Sequence, residues 1–325
     1  MVVTIQRDDS VDTSGKPQVD IVQSMVDFVL SQLAGGASNP WSKILPNADP
    51  ACTRVGLKIN CLNSIVPTSP AMVRAIIHNL INNGGFCAGN IVVWERYLQD
   101  ATDAKYSEPD LLGARLAGTC DLPGVNGGPP INGKGPGYGD TWAGIVGSDP
   151  SLSPRLSRIL TEQTDVTINC PVLKAHPESG FTAGLKNCYG MFDSPGNYHS
   201  PYLTQALPTL YATPQIRNSI KLTIVDALQA SVTRDNISAI DRTPGRIFAS
   251  LDPLVSDYYA LDLTNQLRAL RRPVATQPVP TGSLGWMDYA YQIGLGAKTY
   301  NLVSLLANGD VAVDGGAADA ASEAI

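Results

Sequence analysis

Only three histidines occur in 325 residues, at positions 78, 176 and 199, so a histidine-rich metal site is disfavoured. The six cysteines (Cys52, Cys61, Cys87, Cys120, Cys170 and Cys188) form no CxxC pair, which argues against an iron–sulfur run or a zinc ribbon. Most of them lie in apolar segments and read as small core residues. Charged residues make up only 16% of the chain, and 23 basic against 29 acidic side chains leave a net charge of −6. That balance gives no general pull on polyanions, so nucleic acid and acidic lipid are not expected partners. No apolar run approaches the roughly 20 residues that span a bilayer, so no membrane partner is expected either. The opening Met-Val-Val-Thr-Ile-Gln-Arg-Asp-Asp has neither the basic nor the apolar region of a secretory signal. Aromatics are 6%, while 30 glycines and 24 prolines imply many turns without reaching the level of a disordered chain. The expectation is a soluble globular protein, with residues 1–325 read as one α/β domain.

Apolar spacing supplies the elements. Residues 20–33 place Ile21, Val22, Met25, Val26, Val29 and Leu33 on one helical face, ended by Gly35-Gly36. A short β-like run, VGLKIN, covers 55–60. The spacing then predicts a helix over 69–83, with Ser69 as cap, Pro70 at its first position and Met72, Val73, Ile76, Ile77, Leu80 and Ile81 in the buried stripe. IVVW (91–94) follows as a strand, completing a βαβ unit. Further strands are expected at VTINCPVL (166–173), KLTIVDA (221–227), IFAS (247–250) and NLVSLL. Helices are expected near 206–218, over Pro253–Arg271 behind an Asp252 cap, and over 284–293. The alternation predicts an α/β fold, a mainly parallel sheet with helices on both faces. Residues 121–150 are rich in glycine and proline and read as a long irregular loop, placed as a lid or binding loop. Its alternate glycines at 133, 135, 137 and 139 follow no strand and open no helix, so they do not make a phosphate loop.

Several core strands run into charge. IVVW gives way to Glu95, CPVL to Lys174 and LTIV to Asp226, and in an open parallel sheet such carboxyl ends share the edge where ligands bind. Lys58 sits inside VGLKIN, where a strand covered on both faces would bury its ammonium and lower its proton affinity. The segment from Lys174 to Gly190 holds the densest polar group, with His176, Gly184, Lys186 and Asn187 among it. Glycines allow backbone N–H groups close to a ligand, lysines neutralise anionic oxygens, and a histidine titrating near neutrality moves protons. His78 lies on a helix's polar side, and His199 is a loop residue without an assigned role.

The stretch TDVTINCPVLKAHPESGFTAGLKNCYG resembles the signature of the domain-of-unknown-function family three-six-two, a strand ending in P-x-L/V-K-x-H followed by a small-residue turn and L-K-N-x-x-G. The likeness extends to VGLKIN with TSPAMVRAIIHNLINNGG, to KLTIVDAL, to SLDPLVSDYYALD and to GLGAKTYNLV. The opening is similar to members exported by a twin-arginine signal, so the resemblance implies an exported protein. Several relatives carry a ferredoxin-like module; this chain has no such cysteines. The resemblance implies a fold and a shared pocket, and no reaction.

The leading functional expectation is an enzyme acting on a small anionic molecule, a carboxylate or phosphate held by Lys186, Asn187 and the Gly184 turn. Lys58, Lys174 and His176 would carry the chemistry, and Glu95, Asp226 and Asp257 would orient the lysines. Lyase, isomerase and cofactor-dependent oxidoreductase chemistry all stay open, and the residues name neither a cofactor nor an oligomeric state. The alternative is a non-catalytic binding or assembly protein using the same pocket or the 121–150 loop. A metal site around His176 with Glu95 or Asp226 is a third, weaker idea.

Overall fold

The computed structural model describes residues 1–62, 64–122, 137–143, 154–233, 239–271, 276–305 and 311–316. The chain opens with β1 (Val2–Gln6), α1 (Val19–Leu33) and α2 (Trp41–Ile44). A βαβ unit follows, made of β2 (Val55–Lys58), α3 (Pro70–Asn82) and β3 (Ile91–Glu95), and then α4 (Leu98–Asp103) and β4 (Arg115–Gly118). Ser69 caps α3 by accepting from the Ala71 N–H at 3.2 Å, with Pro70 at the first position. A separate hairpin pairs β5 (Tyr138–Trp142) with β6 (Arg155–Ser157). Of the expected 121–150 loop, residues 123–136 and 144–150 lie outside the described residues.

The single strand expected over 166–173 is two strands, β7 (Val166–Asn169) and β8 (Val172–His176). Pro171 carries no N–H and interrupts the ladder. β8 turns at Gly180, whose φ of +78° suits glycine, into β9 (Gly180–Thr182). The helix expected near 206–218 is likewise two, α5 (Leu203–Tyr211) and α6 (Pro214–Ser219), because Thr213 before a proline is held extended. The remaining elements are β10 (Ile220–Ser231), β11 (Arg246–Ser250), α7 (Pro253–Ala269), α8 (Gly285–Gln292), β12 (Tyr300–Leu305) and β13 (Val311–Gly316). Asp252 caps α7 through the Leu254 and Val255 N–H groups, each at 3.0 Å.

The main sheet runs β13-β12-β1-β11-β10-β7-β2-β3-β4. From β10 to β4 every neighbouring pair is parallel, and β8 adds a further parallel pairing to the distal half of β10. The antiparallel pairs lie at β11 and at the β12–β13 and β8–β9 hairpins. Alternate strand residues feed two apolar layers, as a doubly covered sheet requires. Val55, Leu57, Ile91 and Val93 join Val22, Met25, Met72 and Ile76 of α1 and α3 on one face. Val92, Trp94, Val225 and Phe248 join Leu207, Leu254, Leu263 and Trp286 of α5, α7 and α8 on the other. The sheet is thus mixed and mostly parallel, with helices on both faces. Among the described residues, no helix is long and apolar enough to cross a membrane.

Candidate functional site

The parallel half of the sheet brings three strand ends into register, Lys58 opposite both Trp94 and Asn169, with β8 continuing just beyond. A cavity of about 160 Å³ lies at this carboxyl edge, and its walls include Lys58, Glu95, Lys174, His176, Lys186 and Asn187. Six of the nine residues singled out in the sequence therefore meet at one place. Asn60, Arg96, Tyr189 and His199 line it as well.

Lys58 is 1% exposed, and its ammonium pairs with Glu95 Oε1 at 2.8 Å and also donates to the Ile59 carbonyl. Glu95 accepts in addition from the Cys61 and Arg96 N–H groups at 2.8 and 2.7 Å. Gly190 closes over this pair; a Cβ there would stand 2.7 Å from Lys58 Cε and 3.1 Å from Glu95 Oε1, so only glycine lets the backbone pass.

Lys174 and Lys186 differ from Lys58 because, among the described residues, no carboxylate pairs with either. Lys174 donates to Asn60 Oδ1 at 2.8 Å, and burial lowers its pKa to about 8 against the opposing charge of Glu95. Lys186 stands 3.1 Å from His199 Nε2 and 3.7 Å over the Tyr189 ring. Burial lowers it to about 7, with nearby Lys174 adding repulsion and Glu178 working the other way. Asn187 is spent on the frame, donating to Asn169 Oδ1 at 2.8 Å and to the Lys58 carbonyl at 3.1 Å.

His176 accepts from the Glu178 and Ser179 N–H groups at Nδ1, at 3.1 and 3.2 Å, so its ring proton sits on Nε2. Its ring stacks on His199, centroids 5.3 Å apart. Partial burial, then Lys186, His199 and Lys174, hold it down at about 3. The expectation of a histidine titrating near neutrality is corrected here: His176 is a neutral N–H donor.

Three expected residues do not line the cavity. Asp257, on α7, takes the Gly184 and Leu185 N–H groups at 2.6 and 2.9 Å and so anchors the turn that carries Lys186. The Gly184 N–H is thereby used, and its carbonyl accepts from Asn169 at 2.8 Å. Asp226 takes the Ser69 and Leu228 N–H groups at 2.7 and 2.9 Å, holding the start of α3. These carboxylates face backbone donors instead of the lysines. For the metal site weighed around His176 with Glu95 or Asp226, Asp226 is spent on backbone donors and Glu95 on Lys58, and among the described residues no group of three or more metal-ligating side chains comes together.

A wider cavity of about 850 Å³ opens beside the start of α3. There Tyr106 donates to the Thr68 carbonyl and Arg74 to the Asp110 carbonyl, each at 2.9 Å.

The fold and site define a mostly parallel α/β protein with a lysine-rich cavity at the carboxyl ends of its strands. Residues 147–262, which include the Lys174–Gly190 segment, match the model of the family described as Domain of unknown function (DUF362). The matched stretch includes Lys174, His176, Lys186 and His199 and leaves out Lys58 and Glu95. Among solved structures, a protein of Thermotoga maritima aligns at 12% identity and TM-score 0.42, over 75% of this chain and 59% of that one. The lactate racemase apoprotein of Thermoanaerobacterium thermosaccharolyticum aligns at 9% identity and TM-score 0.35, over 98% of this chain and 54% of that one. The chain spans little more than half the length of either. No curated protein matches it.

Proposed function

We propose that the cavity binds a small anionic molecule and that the protein is an enzyme acting on it. One observation carries this reading: of three buried lysines on the cavity wall, Glu95 neutralises only Lys58. Two ammonium groups remain whose burial is costly until an anion enters, and an entering anion restores their charge. Arg96 supports it, since its buried Nε has no hydrogen-bond partner among the described residues. A guanidinium on the wall suits a carboxylate or phosphate by geometry. Proton movement falls to Lys186 and His199, which are in hydrogen-bond contact, while His176 offers its Nε2–H to an oxygen that gains charge.

Calorimetric titration with oxalate and with inorganic phosphate tests the reading. Binding by the parent at about pH 8 should take up protons, seen as a heat that changes with buffer ionisation enthalpy, because the lysines charge on binding. Lys174→Met and Lys186→Met should each lose on the order of 1.5–3 kcal/mol of affinity. Equal affinity in parent and both variants would end the proposal.

A further inference from the structure

We infer that Lys186 is a nucleophile, whose Nζ condenses with the carbonyl carbon of a small aldehyde or ketone held in the cavity by its anionic group. This rests on the anion-site reading above and goes further by naming the ligand as a carbonyl compound.

The three cavity lysines are held in different ways. Lys58 is fixed by an ion pair, and Lys174 donates to an amide oxygen that cannot take a proton. Lys186 has a base as its hydrogen-bond partner. His199 Nδ1 lies 3.0 Å from the Pro195 carbonyl, which can only accept, so that nitrogen carries the ring proton. Nε2 is then the unprotonated nitrogen, and it faces Lys186 Nζ at 3.1 Å. A lysine bonded to a free imidazole nitrogen can surrender a proton and present its amine lone pair. Tyr189 beneath the Nζ and the stacked His176 fix the group in place. Neutral His176, His199 and Tyr189 surround it; burial places its titration at about 7, with Cys188 and Glu178 opposing the shift and Lys174 adding to it. His199 is also lowered from its ordinary value, chiefly by burial and then by Lys186, so it enters the reaction as a base.

The step balances without any oxidant or reductant. In its first stage the Nζ lone pair forms a C–N bond, the carbonyl π pair passes to oxygen, and one Nζ proton travels through His199 Nε2 to that oxygen. In its second the C–O bond breaks, the other Nζ proton follows the same route, and water leaves as C=N closes. Amine and carbonyl give imine and water. His176 Nε2–H is the donor for the oxygen while it is negative.

Imine trapping reads this out. The full chain is incubated with sodium cyanoborohydride and glyoxylate, pyruvate or dihydroxyacetone phosphate, then digested and mapped by mass spectrometry. The expected result is a reduced adduct on the Lys186 peptide, formed roughly ten-fold faster than at any other lysine and suppressed by oxalate. The carboxylate and phosphate probes distinguish which anionic group the site takes. Lys186→Arg, which keeps a cation but lacks the nucleophile, should give no such adduct; protection of the parent by oxalate serves equally if that variant does not fold. Adducts scattered over surface lysines, or concentrated on Lys174, would overturn the inference. Oxalate binding with no adduct from any probe would overturn it and leave the anion site standing. Loss of oxalate binding and adduct together would remove both.

Discussion

At the scale of single residues, three buried lysines share one wall and do different work because their partners differ. Removing the ammonium of Lys58 leaves Glu95 buried with N–H donors but no cation. Lys58→Met is therefore expected to cost about 3–5 kcal/mol of stability, and adding Glu95→Gln should recover much of it, both by urea denaturation. Lys186→Met strands no carboxylate among the described residues, since the Nζ meets His199 and Tyr189, and its methionine fills the space of the aliphatic stem. That variant should keep its melting midpoint within a few degrees while losing anion affinity. The residues that sequence reasoning missed fail for identifiable reasons. Asn60 stands two positions after Lys58 and shares its side of the strand by period, a signal that was available. His199 carries none, because it reaches Lys186 through an irregular turn at Ser194, whose φ is +51°. No spacing rule anticipates such a turn.

At the scale of elements, the amphipathic helices and apolar strands were legible because one-sided burial writes itself into spacing. Segments governed by proline were not. Pro171 divides an apolar run that reads as one strand, and Pro214 divides one helix into two. β1 went unread as a strand, although it enters both apolar layers through Val2 and Val3. The carboxylates show a further limit. Asp226 and Asp257 looked like charges meant for lysines, yet each spends both oxygens on backbone N–H groups, Asp257 at the Gly184 turn and Asp226 at the start of α3 and within β10. Sequence gives a carboxylate's position but not whether a backbone donor reaches it first. Asp257 is the sharper test, since it anchors the turn carrying Lys186 from a different element. Asp257→Ala leaves two buried N–H groups unsatisfied and should cost about 1–3 kcal/mol for each. The remaining folded protein should bind oxalate more weakly, although residue 257 does not line the cavity. An unchanged affinity would separate the turn's anchoring from Lys186's position.

Across the whole molecule, buried titrating groups tie stability to pH in opposing directions. Burial raises Asp226 to about 6 and Asp257 to about 7, against backbone donors that pull them down. Their contribution is complete below 3.8 and lost as pH rises through those values. His176 acts in reverse, contributing above 6.5 and losing that contribution as pH falls through about 3. Lys174 and Lys186 contribute above 10.5 and lose it as pH falls through about 8 and 7. Above neutrality the lysines dominate this set, so urea midpoints should climb from about pH 7.5 to about 9.5, and Lys186→Met should remove about half of the climb. The first strand sets a different clock. β1 lies between β11 and β12, and Thr4 donates to the Ile247 carbonyl 243 residues further on. A ribosome adding roughly 5–20 residues per second takes about 12–50 s to supply that partner. Throughout synthesis of the cavity's own strands, β1 waits without either of its strand partners, so a strand made before them is completed after them.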